Sequence, residues 1–375
     1  MKEQILILSI VLLPFGVMAE WSDCGIDEET NCEWQISDGV LTVRPKAGAT
    51  DVAIPDYTRD CTMTKSDQCT TPAPWRWDND ESSIHTVNIE NGITSLGAYA
   101  FEDMEMTTVH LPDGVTSIAS SFIECYYLSN VNLPDSLRNI GRSAFAYTSL
   151  ENIVIPEGTP ENPTIVGQYA FNRNPYIKSL VVGENTMLDS DVFMFPSGYA
   201  NLDFNNFSIY CAQGNTTCNQ AVEKALIYEQ SEGLIDSSAQ VSDYLTIYTK
   251  DTSGQFYQID DKLYATADLM THNAACDDAA NCQAILDAAS QGKPFEVGGK
   301  YYATLDLFAS GAACTDKQNC EDILASNGNP FKVGSKIYNS MADFANGNYV
   351  KHRIYTIEEA NFVAGPVNRV SIRYR

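Results

Sequence analysis

The sequence predicts an α+β chain: a right-handed solenoid of short parallel strands, opened by a β-hairpin cap and followed by small disulfide-containing modules of hairpin plus helix. Three observations predict it. Val87, Val109, Val131 and Ile153 recur at intervals of 22 residues inside short alternating segments. A second, unrelated repeat returns roughly every 37 residues between Phe256 and Phe344. Ten of the eleven cysteines fall into five local pairs.

The first repeat runs from Ile84 to Tyr210. Thr-Val-Asn-Ile at Thr86–Ile89 and its counterparts alternate apolar with polar residues, the period of a half-buried strand. A fifth copy, Ser179 to Val182, follows after 27 residues. About half a repeat later each copy carries a second signature: Ile93 to Gly97 before Ala100-Phe101, Val115 to Ile118 before Phe122, Ile140-Gly141 before Ala144-Phe145, Ile165 to Gly167 before Ala170-Phe171, and a degenerate fifth ending at Phe193. Strand, turn and step make one coil, and stacked coils bury an apolar column that no single coil can. These residues resemble the BspA-type leucine-rich repeat. Cys24-Gly25, Trp34, Asp38 to Val43 and Ala73-Pro74-Trp75 resemble the hairpin-rich cap that opens bacterial members. The resemblance covers about residues 21–210; it departs at the insertion Thr159 to Pro163 and fades after Phe193. It implies a leucine-rich-repeat solenoid on a secreted or surface protein that binds host matrix or cells, or co-aggregates with other bacteria.

In the second repeat, Phe256 to Met270 is echoed by Phe295 to Phe308 and by Phe331 to Phe344. Gly-Gly-Lys or Gly-Ser-Lys between β-prone runs predicts a hairpin. Thr304 and Ser340 stand where helix N-caps belong. The pair Cys276 and Cys282 and the pair Cys314 and Cys320 lead into helix-like stretches. The expected organisation is therefore a signal peptide (1–19), a cap (20–83), the repeats (84–210), a connector (211–255), tandem modules (256–350) and a basic tail (351–375).

The charge excludes whole classes of function. Against 23 basic side chains stand 49 acidic ones, a formal charge of −26, which opposes nucleic acid, whose binding needs phosphate neutralisation. It equally opposes docking on anionic lipid. Lys2, the apolar run from Ile5 to Val17 and the small Ala19 predict a secretory signal cleaved after Ala19. No later stretch offers the roughly 20 apolar residues of a membrane span. The mature chain is expected to be secreted, periplasmic or at the cell surface, without a span, and its oligomeric state is open.

Five cysteine pairs are predicted disulfides of an exported chain: Cys24 with Cys32, Cys61 with Cys69, Cys211 with Cys218, Cys276 with Cys282, and Cys314 with Cys320. Each closes so short a loop that it contributes only about 2–2.5 kcal/mol, pinning a turn rather than joining domains. The cysteines lack zinc-site spacing, the four histidines stand in no paired spacing, and no EF-hand, P-loop, dinucleotide or nucleophile-elbow motif occurs. No metal, cofactor or enzymatic activity is expected.

The candidate binding surface follows from strand phase. With the valines inward, Thr86, Asn88, Thr108, His110, Asn130, Asn132, Asn152, Val154, Ser179 and Val181 point outward. This uncharged polar face is either a ladder for an extended protein or glycan, or simply a solvated sheet. Adhesion through it is the first functional expectation; a structural envelope component without a ligand, or a hydrolase with a carboxylate pair in a cleft, are the alternatives. The sequons Asn206-Phe207-Ser208 and Asn215-Thr216-Thr217 would matter only in a eukaryotic source. The odd cysteine, Cys125 in Phe122-x-x-Cys125-x-x-Leu128, is expected in the core. A thiol-reactive probe should therefore label Cys125 only after denaturation; fast labelling of native protein would refute its burial.

Overall fold

The computed structural model describes residues 21–25, 30–58, 73–76, 84–194 and 206–350. The expected signal peptide, the predicted pair of Cys61 and Cys69, and the basic tail lie outside the described residues. The chain divides into two compact units, residues 1–250 and 251–375.

The first unit begins with β1 (Ser22–Asp23), β2 (Cys32–Ser37), β3 (Val40–Pro45) and β4 (Val52–Ile54). Each coil then adds two strands: β5 (Thr86–Ile89) and β6 (Ile93–Leu96), β7 (Thr108–His110) and β8 (Ser117–Ile118), β9 (Asn130–Val131) and β10 (Asn139–Ile140). The series continues with β11 (Asn152–Val154) and β12 (Thr164–Val166), then β13 (Ser179–Val182) and β14 (Thr186–Leu188). It ends with β15 (Ser208–Ala212), α1 (Thr217–Ser231) and β16 (Leu245–Lys250).

The 22-residue period is the strand register itself: Val87 pairs with Val109 and Val109 with Val131, in parallel. The cap hairpin heads this ladder, because β3 pairs antiparallel with β2 and parallel with β5. A further parallel ladder joins β11, β13, β15 and β16. Strands β4, β6, β8, β10, β12 and β14 form a second sheet that the sequence reading did not assign. Its strands are two to four residues long, too short to display a period. Val87, Val109 and Ile153 from the first ladder share one core with Ile93, Leu96, Ile118, Ile140 and Val166 from the second sheet.

A stack of aromatic rings completes the core. Trp75, Phe101, Phe122, Phe145 and Phe171 lie nearly parallel, with successive centroids 5.4, 5.3, 5.4 and 5.8 Å apart. The Phe101, Phe122 and Phe145 N–H groups each donate to the residue just before the next phenylalanine, Ser121 O, Ala144 O and Ala170 O, at 2.9, 3.0 and 2.9 Å. The glycine ahead of the first step is sterically required: a Cβ on Gly97 would lie 2.0 Å from Pro55 O. Cys125 is fully buried beside this stack, and its thiol donates to Phe101 O at 2.9 Å. Burial pushes that thiol far above the ordinary range.

Residues 211–255, expected only to connect, have structure of their own. The Cys211–Cys218 disulfide ties β15 to α1, whose Ala221, Val222, Ala225 and Leu226 belong to the solenoid core. At the other end, Asp23 accepts from Gly25 N–H at 2.7 Å and from the Thr30 hydroxyl at 2.8 Å, and it pairs with Lys46.

The second unit repeats one module. Hairpins β17 (Tyr257–Ile259) with β18 (Lys262–Tyr264), β19 (Phe295–Val297) with β20 (Lys300–Tyr302), and β21 (Phe331–Val333) with β22 (Lys336–Tyr338) are followed by short helices α2 (Ala267–Thr271), α4 (Leu305–Ala309) and α6 (Met341–Ala345). Longer helices α3 (Ala279–Ser290) and α5 (Lys317–Ala325) follow the first two. The caps are as the sequence predicts: Thr304 accepts from Leu307 N–H and Ser340 from Asp343 N–H. Asn281 and Asn319 each donate a side-chain N–H to the next hairpin, at Glu296 O and Lys332 O.

Two expectations follow. Phe145→Ala removes one ring from the stack and should cost about 3–5 kcal/mol in urea unfolding; a loss below about 1 kcal/mol would show the stack is not structural. For Asp23, burial raises the carboxyl, but the hydrogen bonds from Lys46, Gly25 and Thr30 together outweigh it and hold the group at about 2. A carboxylate depressed in this way stabilises the fold above its unfolded value near about 4, and that contribution is lost as pH falls toward about 2. The gap in melting temperature between wild type and Asp23→Asn should therefore shrink between about pH 4 and pH 2, and a constant gap would refute it.

Candidate functional site

The register of the first sheet sets the outward rows. Thr86, Thr108 and Asn130 stand side by side in one row, and Asn88 and His110 in the other. They face outward because the alternate residues Val87 and Val109 are committed to the core. Thr86, Asn88 and Thr108 are half-buried, whereas His110, Asn130 and Asn132 are exposed. Asn152 and Val154 continue the surface on β11, both exposed. Neighbouring side chains repeat at about 4.8 Å, the strand spacing.

Three candidates behave differently from the rest. Ser179 and Val181 are buried, at 5% and 2% exposure, which corrects the expectation that they face a ligand. All four residues of β13 are buried, so this strand is covered on both faces. Ser179 donates its hydroxyl to Asn152 Oδ1 at 2.8 Å, and Val181 stands in register between Val154 and Tyr210. Asn132 remains exposed, but its amide is engaged: it accepts from Leu111 N–H at 3.0 Å and donates to Leu111 O at 2.8 Å. It clasps the preceding coil in the place of strand pairing.

The remaining face offers hydroxyls, amides and one imidazole, with no carboxylate among the ten candidates. It can donate and accept hydrogen bonds along a line, and the Thr86 hydroxyl lies 3.0 Å from His85 Nδ1. Among the described residues, no group of three His, Cys, Asp or Glu is placed to hold a metal ion. No helix among them is long and apolar enough to cross a membrane. Cys24–Cys32, Cys211–Cys218, Cys276–Cys282 and Cys314–Cys320 are disulfides with Cα atoms 5.6, 6.5, 5.3 and 5.5 Å apart. The fifth predicted pair differs from these four: Cys61 and Cys69 both fall outside the described residues, and their bond stays an expectation of the sequence. At the second sequon, Asn215 donates both side-chain hydrogens, to Gly183 O and Thr186 O at 2.7 Å each, so its amide nitrogen is committed to the fold.

A second surface escaped the sequence reading. The turns around the phenylalanine stack carry tyrosines and arginines in reciprocal pairs between two consecutive coils. Arg142 lies over the Tyr169 ring at 4.9 Å, and Arg173 lies over the Tyr147 ring at 5.3 Å. Tyr126 meets Tyr147 edge to face at 6.1 Å. Tyr126, Tyr127 and Tyr176 are more than half exposed. The available signal was positional, since Tyr147 and Arg173 each stand two residues past the phenylalanine of their coil.

Residues 79–206 match the family model of the BspA type leucine rich repeat region in six copies, one more than the five read from the sequence. Among solved structures, a leucine-rich repeat protein from Eubacterium ventriosum ATCC 27560 is 25% identical over 49% of this chain and 43% of its own, with a TM-score of 0.38. One from Bacteroides ovatus ATCC 8483 is 18% identical over 50% of this chain and 49% of its own, with a TM-score of 0.29. The T. pallidum leucine rich repeat protein is 15% identical over 56% of this chain and 96% of its own, with a TM-score of 0.27. This chain thus spans under half the length of the first two. No curated protein matches it. The coil register and the six matched copies agree, and both make residues 79–206 similar to the BspA type leucine rich repeat region.

Proposed function

We propose that the chain is a secreted or surface-exposed binding protein that presents the outward face of its first sheet to an extracellular protein or glycan. The observation that carries this reading is the in-register row Thr86, Thr108 and Asn130 beside Asn88 and His110. In a chain with 49 acidic residues, this face is uncharged, so an extended ligand meets a regular array of donors and acceptors without electrostatic penalty. Four disulfides support an oxidising compartment. The likeness to the BspA-type family supports adhesion, to host surfaces or to other bacteria, as the setting.

The full chain, screened on an array of matrix proteins and glycans, should bind at least one of them. Thr108→Lys combined with Asn130→Lys should weaken that binding about tenfold, the scale of a hot-spot change, with an unchanged circular dichroism spectrum. Binding that ignores both substitutions would remove the sheet face as the site.

A further inference from the structure

We infer that the second unit is a finite array, closed at its third module by Asn339 and Asp343, so that no further module adds to that end. Aligned on the helix caps Thr266, Thr304 and Ser340, the modules match without a gap from Tyr257, Phe295 and Phe331 onward. The residue before the cap is Ala265, Ala303 and then Asn339; the third residue after it is Leu269, Leu307 and then Asp343. In the first two modules these positions form the face turned to the next module. Ala265 and Leu269 share a core with Phe295, Tyr302 and Phe308, and Ala303 and Leu307 share one with Phe331, Tyr338 and Phe344. All four are at most 5% exposed. In the third module Asn339 is exposed and Asp343 half-buried.

The connection to a next module ends at the same point. The N–H groups of Cys276, Cys314 and Val350 occupy equivalent places, donating to Leu263 O, Tyr301 O and Ile337 O of their own hairpins at 2.9, 2.9 and 2.8 Å. In the first two modules that residue is a cysteine whose disulfide leads into α3 or α5, and Asn281 or Asn319 on that helix reaches the next hairpin. In the third it is Val350, and no cysteine follows Cys320 in the chain. Both changes fall where a fourth module would begin. An apolar end face left in water costs free energy in proportion to its area, so a stacked array needs a terminal repeat with a polar outer face. Asn339 and Asp343 supply that face without altering the core: Tyr338 and Phe344 stay buried, and Ser340 still caps α6.

Calorimetry of the full chain tests this closure. Leu307→Asp places a carboxylate in the contact between modules, so it should lower the melting transition of the second unit by about 10 °C or more, which also identifies that transition. Where Leu307→Asp does not fold, Leu307→Ala locates the transition instead, because a cavity there costs stability without burying a charge. Asp343→Leu, the reverse exchange at the equivalent position, should leave the transition unchanged or lower it. A chain ending at Val350 should melt within about 2 °C of the full chain. A rise of more than about 2 °C in Asp343→Leu would show that the third face is covered, and a fall of more than about 2 °C on truncation would show that residues after Val350 cover it. Either result, or a Leu307 variant whose melting is unchanged, overturns the inference.

Discussion

Everything in the first unit depends on one repeated contact, a ring stacked on the ring of the coil before it. The stack runs from Trp75 through Phe171 with centroids 5.3 to 5.8 Å apart, close to the spacing of neighbouring strands. Stack and ladder can therefore advance together without strain. Each such pair contributes about 0.5–1.5 kcal/mol beyond burial of its area. The backbone around each ring is shaped to serve it. Tyr99, Ser143 and Tyr169 before the rings, and Asp103, Glu124, Tyr147 and Arg173 after them, adopt left-handed conformations. Such residues cost about 1–2 kcal/mol each. The compensation is directional: the flipped backbone aims N–H groups at the following coil. Asp103, Glu124 and Tyr147 thus donate to Ile123 O, Ala146 O and Asn172 O of the following coil, at 3.0, 2.9 and 2.9 Å.

A stack of this kind has two ends that must be closed. At the start, Trp75 continues the parallel stack, while Trp34 and Tyr57 meet Trp75 edge to face and stop the propagation. The Trp75 indole N–H donates to Ala100 O at 2.9 Å, tying the cap to the first coil. At the far end, Phe207 meets Phe193 edge to face, and α1 covers the core with small residues. The modules of the second unit solve the same problem differently. Each is too small to stack a long core, so Phe295, Tyr302 and Phe308, and again Phe331, Tyr338 and Phe344, form closed triads. Disulfides then pin the loops that a small core cannot hold.

What was legible in the sequence follows from these constraints. The first-sheet strands, the phenylalanine step, the hairpins and the caps at Thr304 and Ser340 are fixed by local pattern, and so could be read. The second sheet could not, because two residues such as Ser117–Ile118 carry no period. The burial of Ser179 and Val181 escaped for another reason: phase places a side chain on a face but does not say whether that face is covered. Asn132 illustrates the same limit, since an outward asparagine and one that clasps Leu111 look identical in the sequence. The Tyr–Arg pairs form only between coils, joining residues 26 or 27 positions apart, so no local motif announces them.

The position two residues past each phenylalanine shows why function in such a scaffold is hard to infer from the repeat. Four coils hold the same left-handed backbone there, yet the side chains are Asp103, Glu124, Tyr147 and Arg173. At Asp103, Glu124 and Tyr147 the N–H is bound by the next coil, while the identity of the side chain changes from coil to coil. The fold therefore sets the backbone at this position without setting the residue type. Along this flank the charge consequently changes sign, from two carboxylates through an aromatic ring to a guanidinium. A flank graded in this way is polar along the solenoid axis, whereas the Thr and Asn rows of the sheet face are nearly uniform. The two surfaces differ for a reason set by the fold: the Thr and Asn rows repeat with the strand register, whereas the residue two past each phenylalanine does not.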